Sequence, residues 1–345
     1  MVTFTEELPT LSVITPTLNC AALLYTCLSL LEAQDYPKEK IEYITADQGS
    51  TDGTLQVAQQ FGARIISVPQ YRGNMEAARA VALLASKNEL VAIIDSDNFV
   101  ESPTWLRQMV QPLMEDREII ATQTLRYGYR RTDSLLNRYY ALLGGSDPVG
   151  YYLNKRDRIS WAEDTWTLMG EAEDRGDYYI VRFPTEIPTL GSNGFLIRRD
   201  ILLKANCQPE MFHHIDVLVD LNRLGLDTYG IVKNSVIHHT DRGFINSMKK
   251  KFRYMLAGTE GGAYGIKRRY RVFDPACRHD RVALAKYILY SATVVKPTFD
   301  AIRGFRKVRD TAWFMHPLVC LITLLTYGLA TVIIVGRRWR VQKQE

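Results

Sequence analysis

"LVAIIDSDNFVES", residues 90–102, runs five apolar residues straight into two carboxylates, Asp95 and Asp97, separated by one residue. A short continuous apolar run bounded by polar residues reads as a strand buried on both faces. Crowded carboxylates repel one another and lose hydration, so such a pair either grips a cation or faces water. Three earlier stretches, "LSVITPTLN" (11–19), "IEYITADQGS" (41–50) and "ARIISVPQ" (63–70), have the same form: a short, mostly apolar run ending in polar or turn residues. Residues 22–34, 53–61 and 74–86 between them carry helical periodicity. Strands alternating with helices of this length predict βαβ units, an α/β fold with a mostly parallel sheet and helices on both faces. Ligands of such sheets bind beyond the carboxyl ends of the strands. Thr15, Asp47, Arg72 and Asp95 fall just past predicted strand ends, so they are expected to converge on one crevice.

The composition fits this reading. A chain of 345 residues, 46% hydrophobic and 23% charged, is globular and long enough for about two domains. Five cysteines without a C-x-x-C pair exclude a disulfide framework or zinc site and fit a reducing compartment. The start, "MVTFTEELPT", has no basic segment followed by an apolar run, so no signal peptide is expected. The net charge of +5 is uneven: residues 242–281 hold eleven Lys or Arg against three acids, a local excess of +8. Such a block is expected to meet phosphate, on lipid or nucleic acid.

The segment C-terminal to the block decides for lipid. "AWFMHPLVCLITLLTYGLATVIIVG" (312–336) contains no charged residue, has Trp313 near one end and is followed by "RRWR". About 20 such residues span a bilayer core as a helix. The preceding stretch, 282–310, mixes Leu284, Tyr287, Ile288, Val295, Phe299 and Ile302 with Lys286, Lys296, Asp300 and Arg303. That pattern predicts an amphipathic helix in the headgroup layer. Basic residues flank the apolar run on both sides, so Pro317 could break it into a re-entrant hairpin with both ends cytoplasmic. Expected domains are 1–240 for nucleotide-sugar binding and catalysis, 241–281 for the basic surface, and 282–345 for the interfacial and membrane segments.

The first strand is followed by "TPTLNC", neither a dinucleotide-binding G-x-G-x-x-G nor a G-x-x-x-x-G-K-[ST] phosphate loop. That leaves carboxylates holding a metal on a diphosphate. "SVITPTLN", "ADQGSTDGT", "YRGNMEAAR", "DSD" and "LGSNGFLIRR" follow in order over roughly residues 10–250, and this series resembles family 2 glycosyltransferases of the GT-A, Rossmann-like fold. The resemblance implies inverting transfer from a nucleotide-diphosphate sugar with Mg²⁺ or Mn²⁺. It further implies that Asp95 reaches the ribose, with Ser96 beside it, and that Asp97 holds the metal, Asp95 being a further candidate ligand. Thr15, Pro16 and Thr17 match positions flanking the base, and Asp47 matches the first acid of the family's D-D-G-S-x-D-G motif. Gln48 replaces the second acid, and because an amide both donates and accepts, the base stays open. Asn19 joins the candidate nucleotide contacts, though it and Asp52 also suit turns. Arg72 and Arg79 match positions near the base or diphosphate. Gly191 and Gly194 match places where backbone passes close to donor sugar or acceptor.

The acceptor side departs from the family. His213-His214 stand where members usually carry Glu-Asp, the Asp being the base that deprotonates an acceptor hydroxyl. Either Asp216, His213 or His214 takes over as base, or the acceptor is a phosphate, already anionic near neutral pH. His238 or His239 matches a family histidine that contacts metal or diphosphate, with His239 the tentative ligand. "LRYGYRRTDSLLNRYYALLGGSDPVGYYL" (125–153), rich in Tyr and Arg, is a candidate acceptor entrance. The expected function is therefore metal-dependent inverting transfer to polyprenyl phosphate or a lipid-linked saccharide. It would take place at the cell membrane, with the catalytic domain on the cytoplasmic side and no nucleic-acid partner. A polysaccharide synthase, transfer to a soluble acceptor, and a non-catalytic nucleotide-sugar-binding scaffold are the alternatives.

Overall fold

A computed structural model describes residues 7–240, 243–257 and 268–342. Arg242, Ile266 and Lys267 of the basic block lie outside them. In chain order the elements begin with β1 (Leu11–Thr17), α1 (Ala21–Glu32), β2 (Ile41–Asp47), α2 (Thr54–Gln60), β3 (Arg64–Ser67), α3 (Met75–Ala85) and β4 (Leu90–Ile93). They continue with β5 (Asn98–Phe99), α4 (Trp105–Glu115), β6 (Ala121–Gly128), α5 (Leu135–Leu143), α6 (Pro148–Tyr152), β7 (Glu171–Asp174), β8 (Tyr178–Arg182) and β9 (Phe195–Arg198). The last are α7 (Arg199–Leu202), α8 (His214–Arg223), β10 (Thr228–His238), α9 (Phe244–Ala257), α10 (Arg278–Thr293), α11 (Val295–Lys307) and α12 (His316–Gln342). The chain divides into two compact units, Met1–Leu125 with Gly170–His238, and Arg126–Met169 with His239–Glu345. This division cuts the chain at other points than the expected limits, because 126–169 groups with the residues after His238.

The first unit is built on a ten-stranded sheet in the order β3-β2-β1-β4-β9-β6-β10-β8-β7, with β5 paired to β10. Strands β3, β2, β1 and β4 are parallel, as the alternating strand and helix pattern requires. Beyond β4 the pairs β4–β9, β9–β6 and β10–β8 are antiparallel, which makes the sheet mixed. All four residues of β4 are buried, and so are all seven of β1, as expected for strands covered on both faces. Asn74 caps α3 by accepting from the Ala77 amide at 3.1 Å, and a face of Ala77, Ala78, Ala80, Ala82 and Leu83 is buried. Small residues there allow close approach, and α3 packs on β1 and β2.

Strand β4 stops two residues before the acidic pair. Asp95 to Asn98 instead close a turn, with the Asn98 amide donating to the Asp95 carbonyl at 2.9 Å. The two carboxylates therefore diverge in a turn, and strand alternation does not align them.

In the second unit, Leu136, Tyr139, Tyr140, Leu142, Leu143, Ala301, Trp313 and Val319 form a core. The Tyr-rich stretch thus supplies buried aromatic packing through Tyr139 and Tyr140. The amphipathic stretch is two helices, α10 and α11, broken at Val294, whose φ of 53° is left-handed. Gly304 of α11 faces Trp313 so closely that an added Cβ would sit 2.4 Å from its Cδ2. Gly304→Ala is expected to destabilise by roughly 1–3 kcal/mol, read as a lower Tm in detergent; an unchanged Tm would contradict this packing.

Thr311–Arg337 is the one stretch among the described residues long and apolar enough to cross a membrane. Pro317 is the second residue of α12, where a missing amide hydrogen costs nothing. The helix continues to Gln342, so the re-entrant hairpin is not formed. Leu325 (62%), Leu329 (57%), Val332 (69%) and Val335 (59%) are exposed, unlike the apolar face of a soluble core helix.

Candidate functional site

At the carboxyl ends of β1 and β2, Thr17 pairs with Asp47. Asp47 is buried and spends its carboxylate on the turn after β2. Its Oδ2 accepts from the Gly49 and Ser50 amides, both at 2.9 Å, and its Oδ1 accepts from the Ser50 hydroxyl at 2.5 Å and the Thr17 hydroxyl at 3.1 Å. Gln48 is completely buried and its Oε1 accepts from the Gly73 amide at 2.8 Å, while Arg72 Nη1 donates to the Gly49 carbonyl at 2.7 Å. These two bonds tie the loop after β3 to the loop after β2. Gln48 Nε2 has no hydrogen-bond partner among the described residues. A buried orphan donor of this kind is costly unless a ligand atom satisfies it.

The 95–98 turn is organised by Asn98, which the sequence reading did not single out. Its side chain accepts from the Asp95 amide at 3.0 Å and donates to Asp97 Oδ1 at 3.2 Å and to Asn193 Oδ1 at 3.1 Å. Asp97 remains partly open, with its side chain 26% exposed and its Oδ2 3.5 Å from Nε2 of His238, itself 31% exposed. The histidine seen against Asp97 at the acidic turn is His238, the last residue of β10 and the chain neighbour of His239. A carboxylate and an imidazole so close, both reachable by solvent, fit one divalent ion, and the imidazole favours Mn²⁺ over Mg²⁺.

Asp95 is differently placed. Both of its oxygens accept from Arg79 Nη2, at 2.8 and 3.0 Å. Arg79 Nη1 lies 2.7 Å from Glu76 Oε1 and 3.3 Å from His214 Nδ1. Glu76 accepts the backbone amide of His214 on Oε2 and meets His214 Nδ1 with Oε1, both at 2.9 Å. Burial pushes the Glu76 carboxyl up, but the charges of Arg79, His214 and His213 outweigh burial and hold it well below the usual carboxylate range. Burial likewise disfavours the Arg79 cation, and Asp95 and Glu76 more than restore it. Arg79 is thus a buried link between two carboxylates. Asp95 is paired with Arg79 on both oxygens.

Other expected residues sit behind the site. The Thr15 hydroxyl donates to the Ile94 carbonyl at 2.8 Å, joining β1 to β4, and Pro16 and Ser96 are buried. Asn19, at φ 49°, holds its turn by accepting from the Thr51 amide at 2.8 Å. Gly191 and Gly194 have φ of 93° and 77°. An added Cβ would meet Leu218 Cδ1 at 2.8 Å in the first and Trp105 Cζ2 at 3.0 Å in the second, so packing already requires glycine. Asp216 is completely buried in the first turn of α8. His213 and His214 stay half-buried, with ring centroids 4.6 Å apart.

Residues 12–204, more than half of the chain, match the family model described as glycosyl transferase family 2. The chain belongs to this family. Among its relatives, the glycosyltransferase AglE of Haloferax volcanii is 36% identical over 98 residues, covering 27% of this chain and 32% of that protein. The glycosyltransferase GlyA of Streptococcus pneumoniae is 25% identical over 207 residues, covering 56% and 28%. The matches span a third or less of these relatives' own lengths. Mannosyltransferase PcManGT of Pyrobaculum calidifontis, solved with GDP-Man and Mn²⁺, shares the fold at a TM-score of 0.50 and 16% identity, over 93% of this chain and 87% of that one. As a family 2 member the chain has its acidic turn where five ordered motifs placed it, with Glu76 and Asn98 as the two organising residues that sequence reasoning missed.

Proposed function

We propose that this family 2 chain transfers a sugar with inversion from a nucleotide-diphosphate sugar to a lipid-borne acceptor, a polyprenyl phosphate or a lipid-linked saccharide, at the cytoplasmic face of the membrane. The observation that carries the reading is the pairing of Asp97 with His238 at the mouth of β4, 3.5 Å apart and both open to solvent. These two residues would hold Mg²⁺ or Mn²⁺, and the Mn²⁺ in the mannosyltransferase complex supports the second. When bound, the ion supplies Lewis-acid stabilisation of the charge on the departing nucleoside diphosphate.

The chain's own residues do the rest. The turn held by Asp47 and the Arg72 loop cradle the nucleoside, and Gln48 Nε2 donates to an acceptor atom of the base. Asn98 fixes the direction of Asp97 through its amide. Arg79 keeps Asp95 in one orientation beside the ribose. The exposed apolar surface of α12 supports membrane attachment, and "MKKKFRY" (248–254) supports contact with anionic headgroups at roughly 1 kcal/mol per Lys or Arg.

Membranes containing the chain, incubated with a panel of labelled sugar nucleotides and Mn²⁺, are expected to yield label that extracts into organic solvent and is lost with chelator. Label found only in water-soluble product would contradict the lipid acceptor. The replaced Glu-Asp pair also favours a second reading, a donor-binding scaffold without turnover. Metal-dependent hydrolysis of the donor by the purified chain excludes that.

A further inference from the structure

Between the helix starts of α3 and α8, Glu76 makes three side-chain bonds, two to His214 and one to Arg79. Glu76 and Arg79, three residues apart on α3, look like an exposed helix ion pair. Both are instead buried, at 7% and 3% exposure, and Glu76 spends both oxygens on His214, 138 residues away. We infer that Glu76 is a positioning residue for a histidine base: it fixes His214 with the proton on Nδ1 and leaves Nε2 to accept the proton of an acceptor hydroxyl. This rests on the proposed donor chemistry and narrows its acceptor to one that attacks through a hydroxyl, the lipid-linked saccharide.

The geometry supplies each part. The amide of His214 donates to Glu76 Oε2 and so sets the backbone, while the ring nitrogen Nδ1 at 2.9 Å from Oε1 sets the ring. Nδ1 lies 3.3 Å from Arg79 Nη1, which can only donate, and 2.9 Å from Glu76 Oε1, which can only accept; the nearer contact selects the tautomer with the proton on Nδ1 and Nε2 bare. Nε2 of His214 has no hydrogen-bond partner among the described residues. Arg79 joins this pair to the donor side through Asp95, so base and acidic turn are separated by one guanidinium.

Donor atoms of Glu76, His213 and His214 lie within 4.8 Å of one another, a spacing that could hold a metal. Arg79 argues otherwise, because its guanidinium already lies 2.7 Å from Glu76 Oε1 and 3.3 Å from His214 Nδ1. The charge count suits a base instead. Glu76, Asp95 and Arg79 together carry one negative charge, which an imidazolium neutralises. In the step itself, the acceptor O–H proton passes to Nε2 and the oxygen's electron pair forms the bond to the anomeric carbon. The bond from that carbon to the diphosphate oxygen breaks, its pair leaving with the nucleoside diphosphate.

The test uses the full chain in detergent with ¹⁵N-labelled histidine, the His214 signals being those lost in His214→Gln. Long-range ¹H–¹⁵N correlations are expected to show Nδ1 protonated and Nε2 bare, and Glu76→Gln is expected to abolish that preference. Release of nucleoside diphosphate from GDP-mannose or UDP-glucose with Mn²⁺, water serving as acceptor, is expected to fall on the order of 10²-fold in Glu76→Gln, the larger part of it in kcat, because the two Arg79–Asp95 bonds on the donor side remain. A proton on Nε2 in the unaltered chain overturns the inference and needs no variant to fold. So does a tautomer or rate that ignores Glu76→Gln. Full hydrolysis by His214→Gln would overturn the base itself, whereas hydrolysis absent from the unaltered chain with both sugar nucleotides, the tautomer being as expected, would instead count against the donor reading beneath it.

Discussion

Asp97→Ala is expected to lower metal-dependent donor turnover by roughly 10²–10³-fold, because Lewis-acid stabilisation of the leaving diphosphate is worth several kcal/mol and each 1.4 kcal/mol is about tenfold. The fold should survive. Asp97 is 26% exposed, and Asn98 still bonds the Asp95 amide and Asn193 without it. Thermal unfolding of the variant without ligands should therefore match the parent within about 0.5 kcal/mol, the range for surface substitutions. Titrating Mn²⁺ should show weakened ion binding, with rate partly regained at high concentration because His238 remains. Turnover near the parent rate, at any ion concentration, would remove Asp97 from the metal site.

Arg79→Met should act on stability first. It leaves Glu76 and Asp95 without their shared cation, and removing one partner of a buried ion pair costs about 3–5 kcal/mol. The pH dependence carries the sign. In the parent, Glu76 is held well below its ordinary range, so its contribution is complete above about pH 4.5 and is lost as pH falls through the depressed value. In the variant, burial persists while the largest opposing charge is gone, so protonating Glu76 relieves the penalty. Mild acid, down to about pH 5, should then narrow the gap between variant and parent Tm. Equal Tm values at pH 7 would show that the Arg79 bonds carry no net stability.

Much of the parallel half was legible because local chemistry and long-range position coincide there. The apolar runs of 11–17, 43–47 and 90–93 are buried on both faces. Asp47 illustrates the limit. Its position at the strand end was readable, but its bonds to the Gly49 and Ser50 amides show a carboxylate that shapes the loop after β2. Arg79 and Glu76 were unreadable for a different reason: what makes them a site is His214 and Asp95, brought together only by the packing of α3 and the end of β4. The antiparallel strands β7, β8 and β9 are only four or five residues long, and the motif series offered no register for them. The break at Val294 was hidden too, since a β-branched residue is among the least suited to positive φ. The long apolar helix, by contrast, needed only length and composition, and Pro317 was misleading because its effect depends on whether it falls inside a helix or in its first turn.

Diffraction at the manganese edge from crystals holding the full chain, Mn²⁺ and a sugar nucleotide tests the donor site most directly. An anomalous peak within coordination distance of Asp97 Oδ2 and His238 Nε2, touching the diphosphate, is the expected result. A peak lodged elsewhere with the diphosphate, or a bound donor whose phosphates never approach Asp97, would contradict it.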